Sequence, residues 1–96
     1  MNFDDFIASL EDKEPLKGLS QILTGLWYDA KGDWDKAHDL IDGCQDAGAS
    51  WAHAYLHRKE GDQWNADYWY RRADRTSPSS SLDEEREEII RSLIQA

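Results

Sequence analysis

Two stretches of this chain, GLWYDAKGDWDKAHDLI (Gly25–Ile41) and AYLHRKEGDQWNADYWY (Ala54–Tyr70), superimpose on a shared Gly-Asp pair. A glycine that follows an apolar-periodic run can take the left-handed conformation that ends a helix, and an aspartate after it can cap the next helix. Gly32-Asp33 and Gly61-Asp62 therefore each predict a tight turn between two helices. Tyr28 stands nine residues before Ala37 and His57 nine before Ala66, so the register around the two turns is the same. Gly25, Ala37, Ala54, Ala66 and Ala73 are the small residues that let paired helices approach, and large aromatics are expected to fill the spaces between them.

The rest of the chain extends this helical pattern. Phe3, Phe6, Ile7 and Leu10 recur at helical spacing behind Asp4 and Asp5, which suit a first turn. Pro15 fits the first position of a second helix, with Leu16, Leu19, Leu23, Leu26 and Ala30 along one face and Ile22 and Trp27 widening it. A third helix carries Trp34, Ala37, Leu40, Ile41 and Cys44. After the break DAGAS, Ser50 is the expected N-cap of a fourth helix over 51–60, and a fifth runs over about 63–75. RTSPSSS is a polar connector. Ser81 and Glu84 then stand at capping-box spacing ahead of a stripe of Ile89, Ile90, Leu93 and Ile94. No segment alternates β-branched residues, so the expected class is all-α. Residues 1–96 make one domain, with antiparallel helical hairpins over about 16–78 and a C-terminal capping helix over about 82–95. Two hairpins alone leave their outer faces bare, which is why the terminal helices are expected to cap them.

The spacing Gly25, Tyr28, Ala37, Ile41 and its counterpart Ala54, His57, Ala66, Tyr70, with Pro78 closing the second unit, resembles the tetratricopeptide repeat, whose signature is W-x2-L-G-x2-Y, then A-x3-F, then P. The segment GDQWNADYWYRRADRTSP is the better match. Gln21 and Thr24 replace the leading Trp and Leu in the first unit, and Ser50, His53 and His57 depart from the signature in the second. From Ala37 to Ala66 the offset is 29 residues, against about 34 in the family, so the connection between units must be short. The pair LWYDAKGDWDKAH and WAHAYLHRKEGD also resembles a group of small bacterial proteins without an assigned activity, which implies a bacterial origin.

The tetratricopeptide resemblance implies a non-catalytic protein-interaction module whose first helices line a concave groove. Carried onto the fourth helix, the groove positions are Trp51, Tyr55, Arg58 and Lys59, which share one helical face. Rings beside Arg and Lys suit an acidic or extended peptide. The charge distribution agrees. The chain has a net charge of −9, yet residues 51–76 carry five basic against four acidic groups. This stretch can receive an acidic segment, from another protein or from the chain's own ends. The equivalent positions of the first unit are Leu19, Ile22, Leu26, Asp29 and Ala30, and with Leu19, Ile22 and Leu26 apolar this end is expected to be covered by a terminal helix or a second subunit.

Other constellations are read against their plainer meaning. His53 and His57 stand at i, i+4, a spacing that can place two imidazoles on one metal, with a third ligand from His38, Cys44, Asp42 or Asp67. No HExxH arrangement exists and both slots face the paired helix, so they are expected to be packed core histidines, and neither metal nor cofactor is expected. A small-ligand or metal-binding protein using His53 and His57 is the alternative. Cys44 occupies a small interface slot and is expected to be structural. The acids of DEEREE are expected to form a solvated, dipole-matched first turn. Arg71, Arg72 and Arg75 form a basic face and a possible anion contact. The acidic balance argues against nucleic acid and anionic membrane as partners. One cysteine excludes an internal disulfide, and the absence of a long apolar run points to a cytoplasmic protein. Eleven aromatic residues (Trp 5, Tyr 4, Phe 2) in so short a chain leave homo-oligomerisation as a third reading.

Overall fold

The computed structural model describes residues 1–45 and 47–95 and is all-helical. Its elements are α1 (Phe3–Ala8) running into a 3₁₀ turn (Ser9–Glu11), α2 (Gln21–Ala30), α3 (Trp34–Asp42), α4 (Ala47–Lys59), α5 (Gln63–Arg72) and α6 (Leu82–Gln95). No strand occurs among the described residues, and no helix there is long and apolar enough to cross a membrane.

The two Gly-Asp turns are near-copies of each other. Gly32 and Gly61 have φ of 92° and 91°. Asp33 donates its N–H to the Tyr28 carbonyl and Asp62 to that of His57, each at 2.9 Å. These bonds, with Gly32 N–H to Asp29 O and Gly61 N–H to Arg58 O, satisfy helix-end carbonyls in the Schellman pattern. The carboxylates of Asp33 and Asp62 then accept from the backbone of Lys36 and Asn65, capping α3 and α5. At the end of α5 the same pattern recurs without glycine: Asp74 takes φ 58°, and Arg75 N–H reaches Tyr70 O at 2.8 Å.

Helices α2 and α3 run antiparallel, since Gln21 at the start of α2 donates to the Leu40 carbonyl near the end of α3. Gly25 is the point of closest approach. A Cβ there would lie 2.8 Å from Ile41 Cγ1 and 3.3 Å from the Ala37 carbonyl oxygen, so only glycine fits this crossing. In α4 and α5 the small residues Ala54 and Ala66 are likewise fully buried. The core is one cluster in which Phe6 of α1, Leu26 and Trp27 of α2, Ile41 of α3, Tyr55 and Leu56 of α4, Tyr70 of α5 and Ile89 and Ile90 of α6 meet. Both terminal helices thus pack onto the paired helices.

Several boundaries differ from expectation. The second helix begins at Gln21 and not at Pro15, because Gly18 has φ 84° and Ser20 is the true cap, accepting from Leu23 N–H. Leu16 is consequently exposed while Leu19 keeps only a partial contact with the core. The fourth helix is already formed at Ala47, so Ser50 lies inside it; residue 46 of the expected DAGAS break lies outside the described residues. The fifth helix ends at Arg72, three residues early, at the Asp74 turn. The Ser81–Glu84 capping box is formed in both directions, each bond 3.1 Å.

Candidate functional site

Three groups of side chains stand out: the inner face of α4, a histidine cluster between α3 and α4, and the outer face of α5. On α4, Trp51, Tyr55, Arg58 and Lys59 do share a face, and an acidic segment does occupy it, but that segment belongs to the chain itself. Trp51 Nε1 donates to Glu85 Oε2 at 3.2 Å, Tyr70 Oη donates to the same oxygen at 2.6 Å, and Arg58 Nη1 donates to Glu85 Oε1 at 2.8 Å. Arg58 Nη2 also donates to the Ser80 carbonyl, which ties the connector before α6 to α4. Next to this network Tyr55 Oη donates to Asp29 Oδ2 at 2.5 Å, and Lys59 Nζ to Asp29 Oδ1 at 2.8 Å, with Arg86 Nη1 3.8 Å from Asp29.

The groove face of α4 is therefore occupied by the chain's own Asp29 and Glu85. Trp51 and Tyr55 are buried, and each of the four residues is committed to Asp29 or Glu85. The expected solvated turn of DEEREE is corrected at the same point: Asp83, Glu84, Glu87 and Glu88 are exposed, but Glu85 is fully buried and Arg86 only partly exposed. A helix that packs on a core turns one residue in three or four inward, and Glu85 lies one turn before Ile89 on that inward stripe. Burial, reinforced by the adjacent carboxylates, pushes the hydroxyls of Tyr55 and Tyr70 well above the usual tyrosine range, so both remain donors.

The second group joins His53 and His57 to His38 of α3. Helical i, i+4 spacing stacks His53 on His57 (ring centroids 4.9 Å apart) and His38 on Trp34 (4.9 Å). The short turn between α2 and α3 and the pairing of α3 with α4 then bring His38 Nε2 to 3.0 Å from His53 Nε2. Trp69 of α5 stacks on the other face of His53 at 3.9 Å. Trp34 is pinned by its indole N–H, which donates to the Leu56 carbonyl at 2.8 Å. His57 Nδ1 is 2.7 Å from Glu60 Oε2, and His53 Nδ1 is 3.9 Å from Asp42 Oδ1. Of the four residues considered as a third partner, His38 is the one brought into the cluster. Cys44 Sγ lies instead against the Leu40 carbonyl at 3.6 Å, and Asp67 accepts from Gln63.

Burial lowers the His53 pKa to about 4, and the neighbouring His38 and His57 act in the same direction against the opposing Asp42. The unfolded chain binds that proton near pH 6.5, so His53 contributes stability that is complete above pH 6.5 and is lost as pH falls toward 4. In metal-free buffer the unfolding free energy is expected to fall by about 2 kcal/mol more between pH 7.5 and 4.5 in the native chain than in His53→Gln. Urea unfolding at the two pH values measures this, and equal losses in the two proteins would show that His53 takes up its proton in the folded state.

The third group is the outer face of α5. Trp64 is 80% exposed and Tyr68 42%, the largest exposures among the chain's aromatic residues described as exposed. They lie on one helical stripe with Arg71 and Arg72. Arg72 Nη1 donates to Tyr68 Oη at 3.2 Å, and its guanidinium sits over the Trp69 ring at 5.1 Å. Arg75 stacks on Trp51 at 3.4 Å, and with Arg71, Asp74 and Thr76 it lines a shallow depression at the end of the helix. The three arginines are thus divided between an aromatic stripe and a depression. Trp64 and Tyr68 are not among the residues singled out from the sequence; Ala66 and Tyr70 set the buried side of α5, and these two rings lie off it. Comparison of the chain with protein-family models, curated proteins and solved structures gave no match.

Proposed function

We propose that the chain is a non-catalytic, cytoplasmic helical-repeat module of tetratricopeptide-like type, and that it binds an acidic segment of another protein on the outer face of α5. The observation that carries this reading is the combination of exposed Trp64 and Tyr68 with arginines that form no ion pair among the described residues. Arg58, Lys59, Arg86 and Arg91 each form an ion pair, whereas none of the ion pairs among the described residues involves Arg71, Arg72 or Arg75. In a chain with net charge −9, Arg71 and Arg72 on one stripe with two exposed rings favour a carboxylate-bearing partner with apolar side chains. The groove on α4 is not part of this proposal, because α6 occupies it.

The test is a fluorescence-anisotropy titration with a short peptide alternating glutamate and leucine, and with its lysine–leucine counterpart. The acidic peptide is expected to bind, to weaken about tenfold in Trp64→Ala/Arg72→Ser, and to weaken with added salt. Equal affinity for the two peptides, or equal affinity of the native chain and the double variant, would sink the reading. A mass that rises with concentration and returns to monomer in Trp64→Ala would replace the partner with a second copy of the chain.

A further inference from the structure

We infer that His38, His53 and His57 bind one divalent transition-metal ion of the zinc, cobalt, nickel or copper class through three imidazole nitrogens. This goes beyond the proposed function and does not depend on it, since the histidines lie between α3 and α4 and share no residue with the outer face of α5. One nitrogen from each ring lies within 4.8 Å of the other two. Metal–nitrogen bonds of about 2.0–2.1 Å in a tetrahedral site separate ligand atoms by about 3.3 Å. His38 Nε2 and His53 Nε2, at 3.0 Å, are already close to that separation. The short contact between two ring nitrogens needs one proton between them, and a metal ion placed there takes the proton's role with a third ring added.

The outer nitrogen of His57 is arranged as a metal-bound histidine requires. A ligating imidazole is oriented and made more basic when its other nitrogen faces a carboxylate. Glu60 does this for His57 at 2.7 Å, and Asp42 stands 3.9 Å from Nδ1 of His53. Both assignments leave Nε2 as the ligand atom, the same atom His38 presents to His53. The rings of Trp34 and Trp69, stacked on His38 and His53, hold two of the three ligands in place.

The donor set also selects the ion. Three imidazoles with carboxylates only behind them suit borderline ions and not magnesium or calcium, which need oxygen ligands. A competing group, His57 with Glu60 and Asp62, uses the same histidine. It is the weaker candidate because both Asp62 oxygens are engaged, Oδ1 by the Asn65 N–H and Oδ2 by the Asn65 side-chain amide. Three protein ligands leave a fourth position for water or an outside donor.

The test is titration of the untagged full chain with Zn2+ by calorimetry and with Co2+ by visible absorption, beside His38→Gln. His38 is half-buried at the edge of the cluster, so its loss leaves the core of α4 intact. The expected result is one ion per chain, an intense tetrahedral Co2+ spectrum, and at least a hundredfold weaker binding in His38→Gln. Two further measurements keep the inference open to refutation should His38→Gln unfold. Glu60→Gln retains all three rings and is expected to weaken Zn2+ about tenfold. In the native chain, 15N spectra of the imidazoles should show the Nε2 resonances of all three histidines moving together at one equivalent of Zn2+. Undetectable or fractional binding by the native chain, equal affinity in a folded His38→Gln, or Zn2+-induced shifts that leave any of the three Nε2 resonances in place would overturn it.

Discussion

Glu85→Ala is expected to lower the unfolding free energy by about 3–5 kcal/mol, the cost of leaving a buried charge without its partner. The fully buried carboxylate takes three hydrogen bonds, from Trp51 Nε1, Tyr70 Oη and Arg58 Nη1. Alanine leaves two buried donors and a largely buried guanidinium facing a void, and no water-exposed rotamer of Trp51 or Tyr70 restores them without opening the core. Set against a total of roughly 5–15 kcal/mol for a domain of this kind, the variant should be partly unfolded at physiological temperature. Glu85→Gln keeps an acceptor for one or two of the donors and is expected to cost less. The decisive measurement is a double-mutant cycle by urea unfolding with Arg58→Met. If charge pairing with Arg58 dominates, Glu85→Ala/Arg58→Met will be less damaging than the sum of the single changes by more than 1 kcal/mol. Additive losses would mean that the carboxylate serves Trp51 and Tyr70 and that Arg58 is held by Ser80 alone. The same cycle reports on α6, because Glu85 and Ser80 are its links to Arg58.

Trp27→Ala is the second large effect, also about 3–5 kcal/mol. Trp27 is 1% exposed and its indole N–H donates to Ser9 Oγ at 3.1 Å, while Ser9 donates in turn to the Phe6 carbonyl at 2.6 Å. Removing the ring leaves a cavity beside Phe6 and cuts the polar link that holds the 3₁₀ turn to α2. The consequence is local as well as global: amides of α1 should lose hydrogen-exchange protection before those of α4. Trp27→Phe fills most of the volume but leaves Ser9 Oγ without its donor, and is expected to cost about 1–2 kcal/mol. If Trp27→Phe proves as damaging as Trp27→Ala, the hydrogen bond and not the volume holds the N-terminal helix. If both are mild, α1 docks through Phe6 and the contacts of its neighbours with α6.

Much of the local structure was readable from residue order alone. The Gly32-Asp33 and Gly61-Asp62 turns, the caps they supply and the Ser81–Glu84 box are interactions between residues at most five apart, so residue type and spacing suffice to specify them. The apolar stripes of α2 and α6 follow the helical period for the same reason. A misreading such as the helix start at Pro15 came from apolar spacing that continued through Gly18, whose left-handed backbone breaks the helix.

What only the tertiary structure decided is which polar residues meet across helices. Tyr55 is 26 residues from Asp29, and Arg58 is 27 from Glu85. By residue type Glu85 is one acid among several at a helix start; its place one turn before Ile89 puts it on the inward stripe, but the partners that accommodate a carboxylate there, Trp51, Arg58 and Tyr70, come from other helices. In the same way His53 and His57 were recognisable as a pair, because they share a helix, while the choice of His38 over Cys44, Asp42 or Asp67 depended on how α3 lies against α4. Residues on one helix are related by its fixed period; residues on different helices are related only by packing, and many packings are compatible with the same stripes.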